Sequence, residues 1–459
     1  MHTVMKSINR IFGSFIIVCL ALVSCEKEKH PQSVDPEQPA VVVRTIKVSF
    51  DTKSTRTELV GEQPYFKDGD LIKMAQVDGE AEPQVCTVKV VDNKASVETT
   101  LEGKLKAVYP HDCAVVSNNK ITGVSVSASQ NGTFEEAHIC MAEQASEDDE
   151  SLVFHNQTPI LRFYVDESIQ VQSITISGIS NPITVKPSSG YFTPSDLDGP
   201  DQRICYAAVP SGMNANEFTF TSTTGTQGTV VQTLKATTSL ANGTMYNIFI
   251  PYYIDLGDAG KWGYCNVGAF LPEEFGKYFA WGDTVGQTWT GSKFSGGGFS
   301  TTPDVGTPIP GVLPLEYDAA AQNWGSNWRM PTVDEYMTLL DIDNLSENTG
   351  PLSITDECWT KTVETKSLVF PVAGVGEGIS RWGTCDDSFV QGSYWSSSFF
   401  EDFEMPYCFT FSAEGGEIGY TYDSFLGMSV RPIYAGGDAP DTNITGDSLD
   451  PYVKDTETF

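Results

Sequence analysis

The sequence predicts a mainly β N-terminal half, built as two packed β units or one large sandwich, followed by an α+β C-terminal domain. Three observations predict it. Short runs of alternating polar and apolar residues, bounded by turn formers, fill residues 45–252. All eight tryptophans lie beyond residue 252 and all five histidines before residue 156, a composition shift that marks a boundary between two kinds of module. Beyond that boundary the texture changes to Gly- and Trp-rich segments with one well-capped helical pattern.

The strands are legible in order. Thr45 to Phe50, Gln84 to Val91, Leu161 to Val165, Ser173 to Ile176, Glu217 to Thr221 and Met245 to Ile250 each alternate or run apolar, and no long 3.6-residue period interrupts them. Gly and Asn mark the breaks, as at Asn131-Gly132 and Asn242-Gly243. In the C-terminal half, Pro331 precedes Thr332, and Thr332 with Glu335 forms a capping box that satisfies N–H groups of a first helical turn. Val333, Tyr336, Met337 and Leu340 then share one helical face. A second short helix is expected over Asp318 to Asn323. Between Gly291 and Pro314 the chain is rich in Gly, Pro, Ser and Thr and predicts a long irregular loop.

Both ends are expected to lie outside the fold. Lys6 and Arg10 precede the apolar run Ile11 to Val23, which fits a signal peptide over residues 1–24 and is too short for a spanning helix. It ends Leu22-Val23-Ser24-Cys25, which resembles a bacterial lipobox. That resemblance implies lipid on Cys25 and a membrane anchor at the cell outer membrane; an ordinary secretory signal is the alternative. Glu26-Lys27-Glu28-Lys29 is similar to a surface-export tag of Bacteroidota lipoproteins. Residues 25–44 predict a flexible tether, rich in Pro, Gln and Glu. Residues 437–459 read as an acidic disordered tail.

Charge and cysteine content narrow the function. The formal net charge is −32 over 459 residues, and removing residues 1–24 takes away Lys6 and Arg10 to leave −34. Such a surface repels phosphate backbones, so no nucleic-acid partner is expected. Apart from Cys19 and Cys25, eight cysteines remain, four in each half, and an exported chain permits disulfides among them; buried free thiols are an equal alternative. No CxxC spacing suggests zinc.

Two family resemblances cover the folded part. Val48-Ser49-Phe50, Thr55-Arg56-Thr57 and Asp68-Gly69-Asp70-Leu71-Ile72, then Phe154-His155, Leu161 to Val165, Ile174 to Gly178 and Asn242 to Ile248, resemble in order the fimbrillin family, the pilus subunits of Bacteroidota. This covers residues 45–252 and implies a β-sandwich region in which His155 is structural. Trp262 to Ala269, Tyr278 to Asp283, Asn327 to Thr332, Tyr394 to Ser398 and Ser429 to Ile433 resemble a paralogous domain abundant in Fibrobacter and Bacteroides surface proteins. This second likeness implies a C-type-lectin-like fold, related to the formylglycine-generating enzymes, over residues 253–436.

Chemistry points away from an enzyme. The C-terminal half holds no histidine for a nucleophilic triad, and no reactive-cysteine context surrounds Cys265, Cys358, Cys385 or Cys408. Acids such as Asp386, Asp387, Glu401, Asp402 and Glu404 are plentiful, but abundant acids in an acidic chain are usually solvated surface. The calcium signatures of sugar-binding C-type lectins are absent, which leaves at most a structural calcium ion and no other cofactor. Tryptophans within the family signatures, Trp281, Trp328 and Trp395, are expected in the core. Trp289, Trp382, Phe294 and Phe299 stand in Gly-rich surroundings and are the candidate ligand-binding aromatics, for a host or microbial glycan or protein; aromatics folded back on the module are the alternative.

The fimbrillin resemblance also implies maturation by a protease that cuts after arginine and opens a groove for a strand of the next subunit. Ala40-Val41-Val42-Val43 is a β-prone run ending at Arg44, and Arg56 is a second candidate cut; an uncut linker is the alternative. A subunit ending in a Trp-rich module accepts a strand without donating one, which is the place of a tip adhesin. The competing readings are a permanently anchored glycan- or protein-binding lipoprotein and, third, an enzyme.

Overall fold

The structure is a computed structural model describing residues 42–51, 64–198, 201–212, 218–234, 240–305, 311–345, 347–384, 390–400, 404–419 and 422–436. Cys25, Arg56, the signal segment, most of the tether and the tail 437–459 lie outside the described residues. No helix among the described residues is long and apolar enough to cross a membrane.

The first unit is a closed barrel. Its strands are β1 (Arg44–Phe50), β2 (Leu71–Gln76), β3 (Gln84–Val91), β4 (Lys94–Thr99) and β5 (Leu105–Tyr109). After a side hairpin, β6 (Ala114–Ser117) with β7 (Lys120–Val124), and the two-residue β8 (Ser129–Gln130) come a one-turn helix α1 (Phe134–Ala137), then β9 (Cys140–Glu143) and β10 (Ser151–Asn156). The order around the barrel is β1-β10-β9-β5-β2-β3-β4. Alternation puts Ile46, Val48, Val88, Val97, Leu152 and Phe154 inside. Asp92 and Asn93, both at positive φ, make the two-residue turn between β3 and β4. The expected sandwich is therefore a barrel here: β1 pairs antiparallel with β4 and parallel with β10, which closes the sheet on itself. The first strand begins at Arg44, one residue before the expected Thr45. Val42 and Val43 are exposed and precede β1.

The second unit is a sandwich. One sheet has the order β14 (Ile204–Ala208), β11 (Ile160–Tyr164), β17 (Met245–Ile248). The other has the order β16 (Gly228–Leu234), β15 (Phe218–Thr224), β12 (Val171–Ser177), β13 (Ile183–Val185), β8. Every residue of β11 and β14 is buried. Strands buried on both faces lose alternation and read as continuous apolar runs.

What covers the second face of that sheet is the C-terminal region. Tyr164 stacks on Tyr264 at 4.5 Å and 4°, Arg162 lies over the Phe270 ring, and Arg203 pairs with Glu273 at 2.6 Å. The composition shift near residue 252 is not a physical gap: one hydrophobic core runs from Ala137 to Ile433 across it.

Small sheets and two helices make up this region. β18 (Tyr253–Asp255), β19 (Lys261–Gly263), β29 (Ile433–Tyr434) and β20 (Trp328–Arg329) form one sheet in that order. β21 (Ile354–Thr355), β22 (Cys358–Val363) and β23 (Lys366–Pro371) form a second. β24 (Val375–Glu377) with β25 (Ser380–Trp382) is a hairpin, and β26 (Gly392–Phe400), β27 (Met405–Ser412) and β28 (Gly415–Gly419) form a meander. The helices fall where the caps place them. Asp318 caps α2 (Ala319–Trp324), and Thr332 with Glu335 forms the capping box of α3 (Val333–Leu340), which buries Tyr336, Leu339 and Leu340.

A buried arginine holds this region together. Arg431, 0% exposed, donates to Asn266 Oδ1 at 2.8 Å, Gly263 O at 3.1 Å and Val369 O at 2.6 Å. It also lies over the Phe370 ring. Trp281, Trp328 and Trp395 are core, as expected, and the indole N–H groups of Trp281 and Trp395 donate to the carbonyls of Ser396 and Phe279. Cys86, Cys113, Cys140, Cys205, Cys265, Cys358 and Cys408 are all free thiols; Cys385 lies outside the described residues.

Candidate functional site

Two places gather the residues that sequence singles out. The first is β1 and its surroundings. Arg44 opens β1, paired with Thr99 of β4, and its guanidinium donates to the carbonyls of Leu101 (3.3 Å), Gly103 (2.9 Å) and Glu147 (3.2 Å). A cleft beside it is walled by Glu102, Glu147, Asp148 and Glu150. The Arg44–Thr45 bond is thus held in a ladder, whereas a protease needs an unpaired extended stretch. Further along, Ile46 and Val48 point into the barrel, and burying an aliphatic side chain of this size contributes about 1.5–3 kcal/mol. At the far end Phe50 stacks on Phe66 at 4.2 Å and touches Tyr109, Phe154 and His138. His155 at the close of β10 ties back to Asp51 just after β1, Nδ1 to Oδ2 at 2.9 Å, a structural contact.

His138 also meets Cys140, Nε2 to Sγ at 3.3 Å. Burial pushes this histidine down to about 4 and the thiol well above its ordinary range. Both are therefore neutral at pH 7, and neither the thiolate of a nucleophile nor a poised base is present.

The second place is an aromatic layer of the C-terminal region. Here the candidates separate. Phe294 and Phe299, expected to be open to a ligand, are buried at 1% and 4% and pack edge-to-face at 4.9 Å in a small core with Tyr278 and Ala373. Glycines permit this: a Cβ on Gly427 would lie 2.3 Å from the Phe299 ring, and one on Gly376 would lie 2.8 Å from both rings. In this chain a Gly-rich stretch marks close packing as well as loop.

Trp289 and Trp382 are partly exposed, but they are not brought together. Trp289 packs against Phe294, and the Arg381 guanidinium lies over its ring at 5.1 Å and over Phe275 at 4.7 Å. Trp382, the next residue on β25, faces the other way and meets Tyr422 at 6.2 Å. Arg381 is absent from the sequence-derived candidates. Its one signal was a lone arginine beside Trp382 in an acidic chain. Among the described residues no group of three or more His, Cys, Asp or Glu side chains could hold a metal ion. Asp386, Asp387, Glu401 and Asp402 lie outside the described residues.

No family model matches the chain, and no curated protein matches it. Solved structures give partial overlaps. A fimbrial protein from Bacteroides ovatus is 11% identical, with 80% of this chain and 94% of that one covered at a TM-score of 0.27. For a fimbrial assembly protein from Parabacteroides distasonis the figures are 10%, 48%, 94% and 0.25. The C-terminally truncated tip fimbrial protein from Porphyromonas gingivalis is 8% identical, with 44% of this chain and 83% of that one covered at a TM-score of 0.23.

Proposed function

We propose that this chain is exported to the cell surface as a lipoprotein with lipid on Cys25 and, once cut after Arg56, acts as a tip-like fimbrial adhesin: its barrel accepts a strand and its C-terminal region is the binding head. The observation that carries this reading is the position of β1. It is the first strand of the barrel, and its partners β10 and β4 run in opposite senses on either side of it. Taking it out leaves two facing edges and a slot one strand wide, which an incoming strand fills with main-chain hydrogen bonds. A cut after Arg56 releases β1, whereas a cut after Arg44 leaves Thr45–Phe50 in place. The last described strand, β29, is held between β19 and β20. No catalytic step belongs to this reading.

One observation favours the competing reading, a permanently anchored surface receptor. Arg44 is locked by three carbonyls in a complete, closed barrel. The intact mass and N-terminus of the native protein decide between them. A chain beginning at Thr57 and copurifying with pilus subunits is the expected result. A lipid-bearing chain beginning at Cys25, alone, makes it a receptor.

A further inference from the structure

We propose that Arg381, Trp289 and Phe275 form a binding site for a sugar that carries a carboxylate. The proposal rests on the reading of the C-terminal region as the binding head and names the ligand class it takes.

Arg381 is held in place before any ligand arrives. It sits on β25 opposite Gly376 of β24, and its Nη1 donates to Tyr278 Oη at 3.2 Å. Tyr278, fully buried, donates in turn to the Ala373 carbonyl. The guanidinium therefore lies over Trp289 and Phe275 in a fixed pose, with donors of its planar fork still unused among the described residues. Arg203 and Arg329, also partly exposed, each hold a carboxylate; Arg381 holds none among the described residues.

The Asp283 carboxylate accepts from the N–H groups of Val285 and Gly286 at 2.9 and 3.1 Å. Glu377, adjacent to Gly376 on β24, faces the opposite side of the hairpin. Residues 275–300 carry Lys277 and Lys293 against Asp283 alone, in a chain of net charge −32. This face combines a cation with flat apolar rings.

That combination selects the ligand. A guanidinium fork matches a planar carboxylate, with two parallel hydrogen bonds, better than any other common group. A partly exposed indole offers a flat apolar face to the C–H side of a sugar ring. Peptide capture by strand addition needs unpaired main-chain groups. The Trp289 hairpin uses its own instead: Ser295 N donates to Thr288 O and Thr290 N to Lys293 O, both at 2.9 Å.

The test is calorimetric titration of the full chain with oligogalacturonate and with the matching neutral galacto-oligosaccharide. The expected result is binding of the acidic oligomer, weakened by added salt, and affinity for the neutral one lower by about tenfold or more. Arg381→Gln is expected to weaken binding by about ten- to a hundredfold, the reach of a charge-assisted hydrogen-bonded pair, with near-UV circular dichroism unchanged. Arg381→Lys keeps the charge but not the fork and recovers only part of the affinity. Should Arg381→Gln misfold, Trp289→Ala and the salt dependence of the wild type carry the same test. Equal affinity for both sugars, an unchanged Arg381→Gln, or an acidic peptide bound as tightly overturns the site. Neutral-sugar or cell binding that Arg381→Gln leaves intact overturns the site and spares the head. A wild-type chain that binds no sugar, peptide or cell overturns both.

Discussion

The barrel and the C-terminal region solve the same problem, filling an interior, in different ways. The barrel has its own core of apolar side chains, one or more from each strand, including Ile46 and Val48 of β1. The C-terminal region shares its core with the sandwich and keeps polar groups inside it: Arg431, Asn266, Asp318, Ser393, Ser396, Ser397 and Ser429 are all buried. A core of alternating aliphatics tolerates exchange of one strand for another of similar pattern. A core built on a buried guanidinium and fixed hydroxyls tolerates little, because each polar group must keep its partner. On the proposed reading the difference fits the two regions to their work: the barrel is the part that opens, and the C-terminal head is braced against the sandwich through β11 and β14.

Arg431 gives the largest expected effect. Arg431→Ala strips a hydrogen-bond donor from Asn266 and from the carbonyls of Gly263 and Val369 in a water-free interior, which costs about 3–5 kcal/mol. In a urea titration followed by tryptophan fluorescence, the shared core should unfold at much lower denaturant. Seven of the eight tryptophans lie in or pack against that core, Trp289 packs on the small Phe294 cluster, and none belongs to the barrel core. Barrel amides followed by hydrogen exchange should keep their protection. If they lose it in step, the two cores are one cooperative unit and the contrast drawn above is wrong.

Acid gives the next effect, of opposite sign in the two regions. Burial holds His138 down to about 4, below its ordinary 6.5, so the folded barrel refuses a proton that the unfolded chain accepts. Its contribution is present above pH 6.5 and is lost as pH falls toward 4, up to about 3 kcal/mol. Burial pushes Asp318 in the other direction, up to about 6 from 3.8, against hydrogen bonds from Ala321 N and Met330 N that favour its charge. The folded head therefore keeps that proton longer. Asp318's contribution is present below pH 3.8 and is lost as pH rises through 6, again up to about 3 kcal/mol. Between pH 7 and 5 His138 weakens the barrel while Asp318 strengthens the head. Urea midpoints for the two regions at both pH values check this, with His138→Gln and Asp318→Asn each flattening its own slope only.

Much of this contrast could be read from sequence, for physical reasons that differ by region. Alternation located Thr45–Phe50 and Gln84–Val91 because a one-sided strand must alternate, and the structure places β1 and β3 there. Barrel closure was hidden, because alternation assigns faces and not partners: β1 meets β10 a hundred residues later. The boundary near residue 252 was legible as a change of composition, yet Arg162 and Tyr164 of β11 already face the next region. Glycines misled at Phe294 and Phe299, since the residue that frees a loop also lets a ring approach backbone. Arg381 was hidden for another reason. Its partners Phe275, Tyr278 and Trp289 are about a hundred residues away in the chain, and no local pattern announces them.

The helix α3 is where sequence and structure meet most closely, and it carries the smallest effect. Thr332 Oγ1 accepts from Glu335 N at 3.4 Å, while Glu335 Oε2 accepts from Thr332 N at 2.8 Å and from Arg329 Nη1 at 2.7 Å. Burial alone would raise the Glu335 carboxyl, but the Arg329 guanidinium and these N–H groups hold it below the usual range. Thr332→Ala removes the cap accepted by Thr332 Oγ1 and the 3.0 Å bond that Oγ1 donates to Glu335 Oε2, but leaves the Arg329 pair, so the cost is about 1 kcal/mol. The urea midpoint of the shared core should shift by that small amount, with barrel exchange unmoved and affinity for an acidic sugar unchanged. A shift several times larger would mean that α3 transmits its loss into the Arg431 network through Tyr336. That outcome would make the head less a set of separately pinned parts than a single strained assembly, and would sharpen its contrast with the barrel.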